Sequence, residues 1–470
     1  MNTLAGVKAI VKKEDRAAVL IVLSAFVLRW VGITHPPLEI NHSWRQALTN
    51  MIARNYLETG YQFFFPQVDL AGNLSGIIGS EMPFFNTLIY GVSLVFGYEH
   101  WYGRIINLMV SSAGLWFFYK LVKELHSKKL ALYALGILTV SIWFTFSRKI
   151  MPDTFSIALM IIGMYCALQY LTTEKMGALG LFFIFGLLAV GTKLPAVGWF
   201  SALILLFWSK HKTALKIHLI LAAGFNALIA YGWYFFWVPY LVETYGYQLF
   251  FPKTLSQGFT ELADLLPDLA ERFYFSAHYS FVAFASVLLG LIFAFKNASK
   301  KYIYLIFAVS FTYGLFIVKT GEVFPTHNYY IIPIVPFMAI AGGYFLMNLP
   351  KKWGVVLMAI IAVESLANQQ HDFFIKDNQW YKLKLEAIAK SNVAKEELII
   401  INGGNSPQQI YFTNRKGWTV LSEQITPHFI DSLHSQGAQK LILNQRTIGA
   451  IDLKYNKVYK GDDFFVYDLD

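Results

Sequence analysis

The chain has 470 residues, with 39 Lys+Arg against 29 Asp+Glu for a net charge of +10, and 56% hydrophobic but only 14% charged residues. Soluble domains carry about a quarter charged residues, so a wholly soluble enzyme is excluded, and the apolar content excludes a disordered chain. The single cysteine, Cys166, excludes an intrachain disulfide and any cysteine-built zinc or iron–sulfur site.

Apolar runs recur near 17–33, 101–122, 129–146, 154–171, 178–191, 195–208, 217–238, 278–295, 302–318, 329–349 and 354–368. They predict an all-α polytopic membrane domain over 1–370 with about 11 transmembrane helices, although several runs are shorter than the roughly 20 residues a bilayer core needs. The pair 178–191 and 195–208, split by Thr192-Lys193-Leu194-Pro195, reads as two short spans or one broken helix. Lys8, Lys12, Lys13 and Arg16 precede the first run, and Arg29-Trp30 stands where a signal peptide would be processed, so the run reads as a retained anchor.

A cytoplasmic N-terminus places 16 cations and 4 acids on the inner side, and leaves 11 cations and 13 acids in the rest of the first 370 residues. That asymmetry is the positive-inside pattern. The excess charge thus records topology, and no nucleic-acid partner is expected. The location expected is a bacterial inner membrane, with the C-terminus outside.

Three regions lie outside the membrane on this reading. The first external loop, 34–100, holds two amphipathic stretches, 44–58 and 82–97, expected as helices in the interface. The second, 239–277, carries a helical segment around 254–275 with Glu261, Asp264, Asp268, Glu271 and Arg272. The tail, 371–470, has 12 cations and 12 acids. Its strand-like run 398–401 ends in Asn402-Gly403-Gly404-Asn405, a helical pattern spans 424–436 behind Thr426-Pro427, and 440–443 and 464–467 read as strands. A small extracytoplasmic α/β domain is predicted, and the glycine pair reads as a plain turn.

Ionisable residues at membrane depth are costly and default to function. On the external side they are Glu39, His42, Arg45, Asp69 and Glu81 in the first loop, then Arg148, Lys149 and Asp153, then Lys193, then His327 beside Tyr329 and Tyr330. Each has a plainer reading. Glu39 serves equally as a solvated loop acid, His42 as a helix cap, Arg45 as a headgroup contact and Asp69 as a turn former. Glu81 and Asp153 open helices, where an acid favours the dipole. Lys193, beside Pro195, needs an anionic partner if buried. Acids and cations together at the outer face suit sugar transfer from a lipid-phosphate donor. A carboxylate takes the acceptor's proton, and cations or a metal stabilise the leaving phosphate.

The chain resembles GT-C-fold integral-membrane glycosyltransferases, in the branch of protein O-mannosyltransferases and the lipid A aminoarabinose transferase. The resemblance covers roughly 20–350. It is carried by Trp44-Arg45-Gln46-Ala47, Ala53-Arg54-Asn55, Phe65-Pro66-Gln67-Val68-Asp69, Gly79-Ser80-Glu81-Met82-Pro83, Phe96-Gly97, Gly103-Arg104, Ser147-Arg148, Pro152-Asp153, Thr192-Lys193-Leu194-Pro195 and His327 with Tyr329-Tyr330 and Pro333. It implies two interfacial helices in the first loop, a polyprenyl-phosphate sugar donor, inversion at the anomeric carbon, and a glycan, lipid or protein acceptor. Glu39, Glu81 and Asp153 become the candidate catalytic acids. His42, Arg45, Asp69, Arg148, Lys149, Lys193, His327, Tyr329 and Tyr330 become candidate substrate contacts. Glu81 and His327 are candidate ligands of a divalent metal. One departure stands out: relatives with the Trp-Arg-Gln-Ala signature continue with Asp, and here the next residue is Leu48. Two other readings stay open, a transporter or flippase of lipid-linked glycans and an inactive glycan-binding paralogue.

Overall fold

A computed structural model describes residues 13–39, 41–247, 253–448, 451 and 453–470. Lys8 and Lys12 of the basic N-terminal segment, and 248–252 of the second external region, lie outside the described residues. The chain folds as two compact units: Met1–Ile33, Arg104–Gly232 and Phe251–Phe373 form the first, and Thr34–Gly103, Trp233–Phe250 and Phe374–Asp470 form the second.

The first unit is helical. Each apolar run expected there coincides with helical structure, including Arg16–Leu28, Tyr102–Leu125, Lys128–Val140, Pro152–Thr173, Met176–Thr192, Phe281–Asn297, Lys300–Thr320, Val335–Asn348 and Lys351–Gln369. Among the described residues, four helices are long and apolar enough to cross a membrane: Tyr102–Leu125, Pro152–Thr173, Thr213–Tyr245 and Lys300–Thr320. A fifth crossing results if Leu266–Ser276 and Phe281–Asn297, bent by 94°, count as one. Length and composition therefore do not reproduce the expected count of eleven. Of the other apolar helices, which have 10–17 residues, α-helices such as Arg16–Leu28 and Val335–Asn348 are shorter than a ~30 Å core at 1.5 Å per residue.

The broken run 178–208 resolves into an α-helix ending at Thr192, Lys193 in extended conformation, and a 15-residue 3₁₀ helix, Leu194–Trp208. Such helices seldom exceed 3–4 residues. Small residues set the helix spacing, as is usual in membranes. A Cβ on Gly290 would overlap the carbonyl of Ala341, and one on Gly343 would press on the backbone of Ala134.

The second unit is built on a five-stranded sheet: β1 (Leu398–Ile401), β2 (Gly417–Thr419), β3 (Ala438–Asn444), β4 (Asn456–Lys460) and β5 (Phe464–Asp468). Their order is β2-β1-β3-β5-β4, parallel for the first three and antiparallel at β5 and β4. Side chains alternate between faces. Ile399, Ile401, Ile442 and Val466 pack against Leu48, Met51, Ile52 and Tyr56 of the Ser43–Glu58 helix. Ile400, Leu441, Leu443 and Tyr467 face Ile430 and Leu433 of the Pro427–His434 helix. The first external loop thus supplies one face of the tail's core. It also covers the sheet edge: Gly417 N donates to Asp69 O at 2.9 Å and Gly72 N to Gly417 O at 2.8 Å. Gly72, at φ 60°, admits no side chain because Trp418 occupies the space.

Asp463, 4% exposed, anchors this unit. It accepts from Lys384 Nζ at 2.6 Å and Arg446 Nε at 2.6 Å. Burial raises its pKa, but these bonds outweigh it and hold the carboxyl below its usual value. A depressed folded-state pKa adds stability that is present above the unfolded value, near 4, and is lost as pH falls through the folded one. Thermal unfolding of the full chain in detergent should show Tm dropping below about pH 4, and Asp463→Asn should flatten that drop by roughly 2–4 °C. An unchanged acid limb in the variant would contradict the assignment.

Candidate functional site

In the first unit the site grows from a clamped, buried turn. The segment 147–151 leads into the Pro152–Thr173 helix, which starts with Pro152 and carries Asp153 in its first turn, the favoured places for a proline and an acid. Asn107 Nδ2 donates to the carbonyls of Phe146 (3.0 Å), Lys149 (2.9 Å) and Met151 (3.2 Å), and its Oδ1 accepts from Thr154 at 3.1 Å. Arg104 Nη1 reaches the carbonyl of Arg148 at 3.4 Å.

Arg148 and Lys149, expected at a donor phosphate, are held in the interior of this unit. Arg148 is 1% exposed, donates to the carbonyls of Arg29 (3.1 Å) and Val31, and lies 4.3 Å over the Phe373 ring. Lys149 is fully buried and pairs with Asp372 at 3.2 Å. Asp372 escaped the sequence reading because it lies 223 residues away in the chain. The demand of a buried cation for an acid shows that some carboxylate is needed but does not say which one.

Asp153 and Lys193 do come together. Lys193 Nζ stands 3.6 Å from Asp153 Oδ1, with side-chain exposures of 12% and 4%. The ammonium is 5.8 Å from the Tyr329 ring centroid and 5.5 Å from that of Tyr330. The His327 ring packs on both tyrosines, at 5.5 and 6.0 Å, and its Nδ1 is 3.1 Å from Val323 O. Five of the expected residues therefore form one cluster: an acid, a cation, two phenols and an exposed imidazole.

The second unit holds the other candidates. Arg45, in the first turns of the Ser43–Glu58 helix, pairs with Glu81 at 2.5 Å, both about one-fifth exposed. The pair joins that helix to the Phe84–Phe96 helix, just behind Pro83. Glu39 is buried and accepts from Gln46 Nε2 at 3.2 Å. His42, at φ 65°, stands at the N-cap but its side chain makes no capping bond. Asp69 is buried between Arg54 Nη2 (3.0 Å) and Asn55 Nδ2 (2.9 Å). Leu48, which follows Trp44-Arg45-Gln46-Ala47, is 2% exposed in the hydrophobic core.

The residues present do not fit the expected metal. The Glu81 carboxylate is engaged by a guanidinium, and among the described residues no group of three or more His, Cys, Asp or Glu side chains is assembled to hold an ion. One cation already serves that acid electrostatically, and a divalent ion needs several oxygen or nitrogen donors.

Residues 80–237 match the sequence profile of the family described as dolichyl-phosphate-mannose-protein mannosyltransferase. A search of curated proteins finds no match. Among solved structures, ArnT from Cupriavidus metallidurans in the apo state superposes with a TM-score of 0.65 at 11% identity, over 96% of this chain and 97% of that one. The same protein bound to undecaprenyl phosphate gives 0.63 at 11% identity, with the same coverage. The archaeal oligosaccharyltransferase AglB from Archaeoglobus fulgidus, in complex with an inhibitory peptide and a dolichol-phosphate, gives 0.57 at 11% identity over 91% and 69% of the two chains. The chain therefore has the GT-C fold, with its resemblance lying in the branch of the aminoarabinose and protein mannosyl transferases.

Proposed function

We propose that the chain is a membrane glycosyltransferase that moves a sugar from a polyprenyl-phosphate donor to an extracytoplasmic acceptor, with inversion at the anomeric carbon. The observation that carries this reading is the buried Asp153–Lys193 pair, which falls inside the segment 80–237 matched to a lipid-phosphate mannosyltransferase family. Undecaprenyl phosphate and dolichol-phosphate in the structural neighbours support the donor class.

In the reaction, an acceptor oxygen bonds to the anomeric carbon as the bond from that carbon to the phosphate oxygen breaks. Glu39, oriented by Gln46, is assigned the acceptor's proton. Lys193 is assigned the leaving phosphate, whose growing charge it meets, while Asp153 holds the ammonium in place. Glu81 and Arg45 are assigned to acceptor binding. A bacterial inner membrane, with the basic loops cytoplasmic and both interfacial helices outside, completes the reading.

The test is transfer from a radiolabelled polyprenyl-phosphate sugar by the purified protein in liposomes. Glu39→Gln should lower kcat by roughly 10²–10⁴-fold, the usual contribution of a general base. Full activity in both Glu39→Gln and Glu81→Gln would overturn these assignments. One observation favours a carrier as the second reading. The bend between Leu266–Ser276 and Phe281–Asn297 adds a second interrupted segment to the break at Lys193, and paired broken helices mark transporters. Vectorial movement of labelled lipid without sugar transfer would select it.

A further inference from the structure

The first unit contains an apolar cavity of about 330 Å³ that none of the proposed chemistry uses. Its walls include Val287, Leu291, Ile306 and Met338, and His126, Tyr302 and Tyr344 bring polar groups to it. These three sit together: the His126 ring is 5.8 Å from that of Tyr302 and 6.0 Å from that of Tyr344, and Tyr302 donates to Leu125 O at 2.9 Å. They mark one end of the cavity. Lys301 lies 4.8 Å over the Tyr302 ring. Burial and the nearby Lys301 charge together hold the His126 imidazole below its usual pKa.

That end is unusually basic. Segments 126–130 and 296–302 each contribute residues to the lining and together carry Lys128, Lys129, Lys296, Lys300 and Lys301 with no carboxylate. Lys128, Lys129, Lys296 and Lys300 are exposed. Of the candidate transfer residues, the cluster of Lys193 with Tyr329, Tyr330 and His327 is at the other end of this unit. His327 follows the far end of the Lys300–Thr320 helix, whose 21 residues span about 30 Å at 1.5 Å per residue.

A partly open apolar slot that ends in a cluster of lysines and aromatic hydroxyls has the shape and charge of a phospholipid site, with an acyl chain inside and an anionic headgroup outside. We propose that this cavity binds an anionic phospholipid of the leaflet facing the Lys-rich loops, with its headgroup on the Lys128, Lys300 and Lys301 cluster. Charge complementarity selects this occupant over a zwitterionic lipid, because a basic cluster beside the bilayer attracts anionic headgroups. The polyprenyl-phosphate donor is disfavoured because its phosphate belongs at the opposite end, near Lys193. The exclusion of the donor rests on the assignment of Lys193 proposed above, whereas the preference for an anionic over a zwitterionic lipid rests on the lysine cluster alone.

The test uses the full-length protein in phosphatidylcholine bilayers with spin-labelled phosphatidylglycerol or phosphatidylcholine as probes. The motionally restricted fraction should favour phosphatidylglycerol by about fivefold, the effect of one engaged lysine near an anionic headgroup. Lys300→Gln with Lys301→Gln should abolish the preference, and both side chains are outside the apolar walls, so folding is not at stake. Leu291→Trp, which fills the slot, should remove the restricted component for phosphatidylglycerol. Equal restriction of the two lipids would overturn the proposal as ordinary annular contact. Displacement of phosphatidylglycerol by added undecaprenyl phosphate would overturn it in favour of the donor's tail.

Discussion

Lys193→Met is expected to lower transfer by about 10²–10³-fold, the usual loss when a charge-stabilising group at a developing anion is removed. The same change also breaks the ion pair with Asp153, which is 4% exposed, and breaking a buried pair costs up to about 3–5 kcal/mol of stability. The single variant thus confounds two effects, and a second variant separates them. Lys193→Met with Asp153→Asn removes both charges together, and neutralising a buried pair is far less costly than breaking it. The double variant should recover most of the lost Tm but none of the lost turnover, because the leaving phosphate still lacks its cation. Transfer in the double variant within about tenfold of the parent would show that the pair is only a structural brace. The salt-free polarity of the cluster adds a check: Tyr330→Phe keeps the ring face near Lys193 and should leave kcat nearly unchanged.

The helical unit was legible in the sequence because burial in lipid leaves a strong signal. Every apolar run proved helical, and 44–58 and 82–97 appear as Ser43–Glu58 and Phe84–Phe96. The number of crossings was not legible, since apolar helices of 13–17 residues such as Val335–Asn348 satisfy the pattern without the length. In the tail, β1, β3 and β5 were read because their runs are apolar on both faces. β2 was missed: it has three residues and begins with a glycine. β4 was missed because Asn456–Lys460 is a polar edge strand that pairs only with β5. The segment 254–275 was expected as one helix, and it breaks at Leu265, before Pro267, as a proline in a helical pattern dictates.

The candidate site divides the same way. Asp153 and Lys193 could be named from the cost of charge at membrane depth, and the structure brings them to 3.6 Å. Arg148 and Lys149 drew the same inference and lie in the interior of the first unit. Sequence shows that a buried cation needs a partner, but a carbonyl oxygen of Arg29 or a carboxylate at Asp372 is recognisable only after folding. Leu48 shows the opposite case. Its side chain belongs to the core that the first loop shares with β1 and β3, so the position has a packing role in this chain that an aspartate could not fill without burying a charge.

Arg54→Met is expected to destabilise the second unit by about 3–5 kcal/mol, because Asp69 would be left as a buried carboxylate without its cation. Arg54 is 5% exposed. It donates to Asp69 Oδ2 at 3.0 Å and Tyr411 O at 2.8 Å, and lies 4.6 Å over the Tyr411 ring. Burial, the largest single influence, lowers its pKa, but Asp69, Tyr98, Tyr411 and Glu58 together outweigh it and hold the guanidinium above its usual value. The contacts tie the first external loop to the tail: Arg54 and Asp69 come from the loop, Tyr411 from the helix after β1, and Asp69 O caps the edge of β2. Loss of one guanidinium therefore loosens three elements together. At 2–4 °C per kcal/mol for a unit of this size, Tm should fall by roughly 6–20 °C. Arg54→Met with Asp69→Asn should recover much of that loss. This pair also decides the role of Asp69, which the sequence offered as a substrate contact. If its role is the brace seen here, Asp69→Asn lowers Tm while transfer at 20 °C, well below the transition, changes by less than about threefold. A large fall in kcat at unchanged Tm would return Asp69 to the substrate.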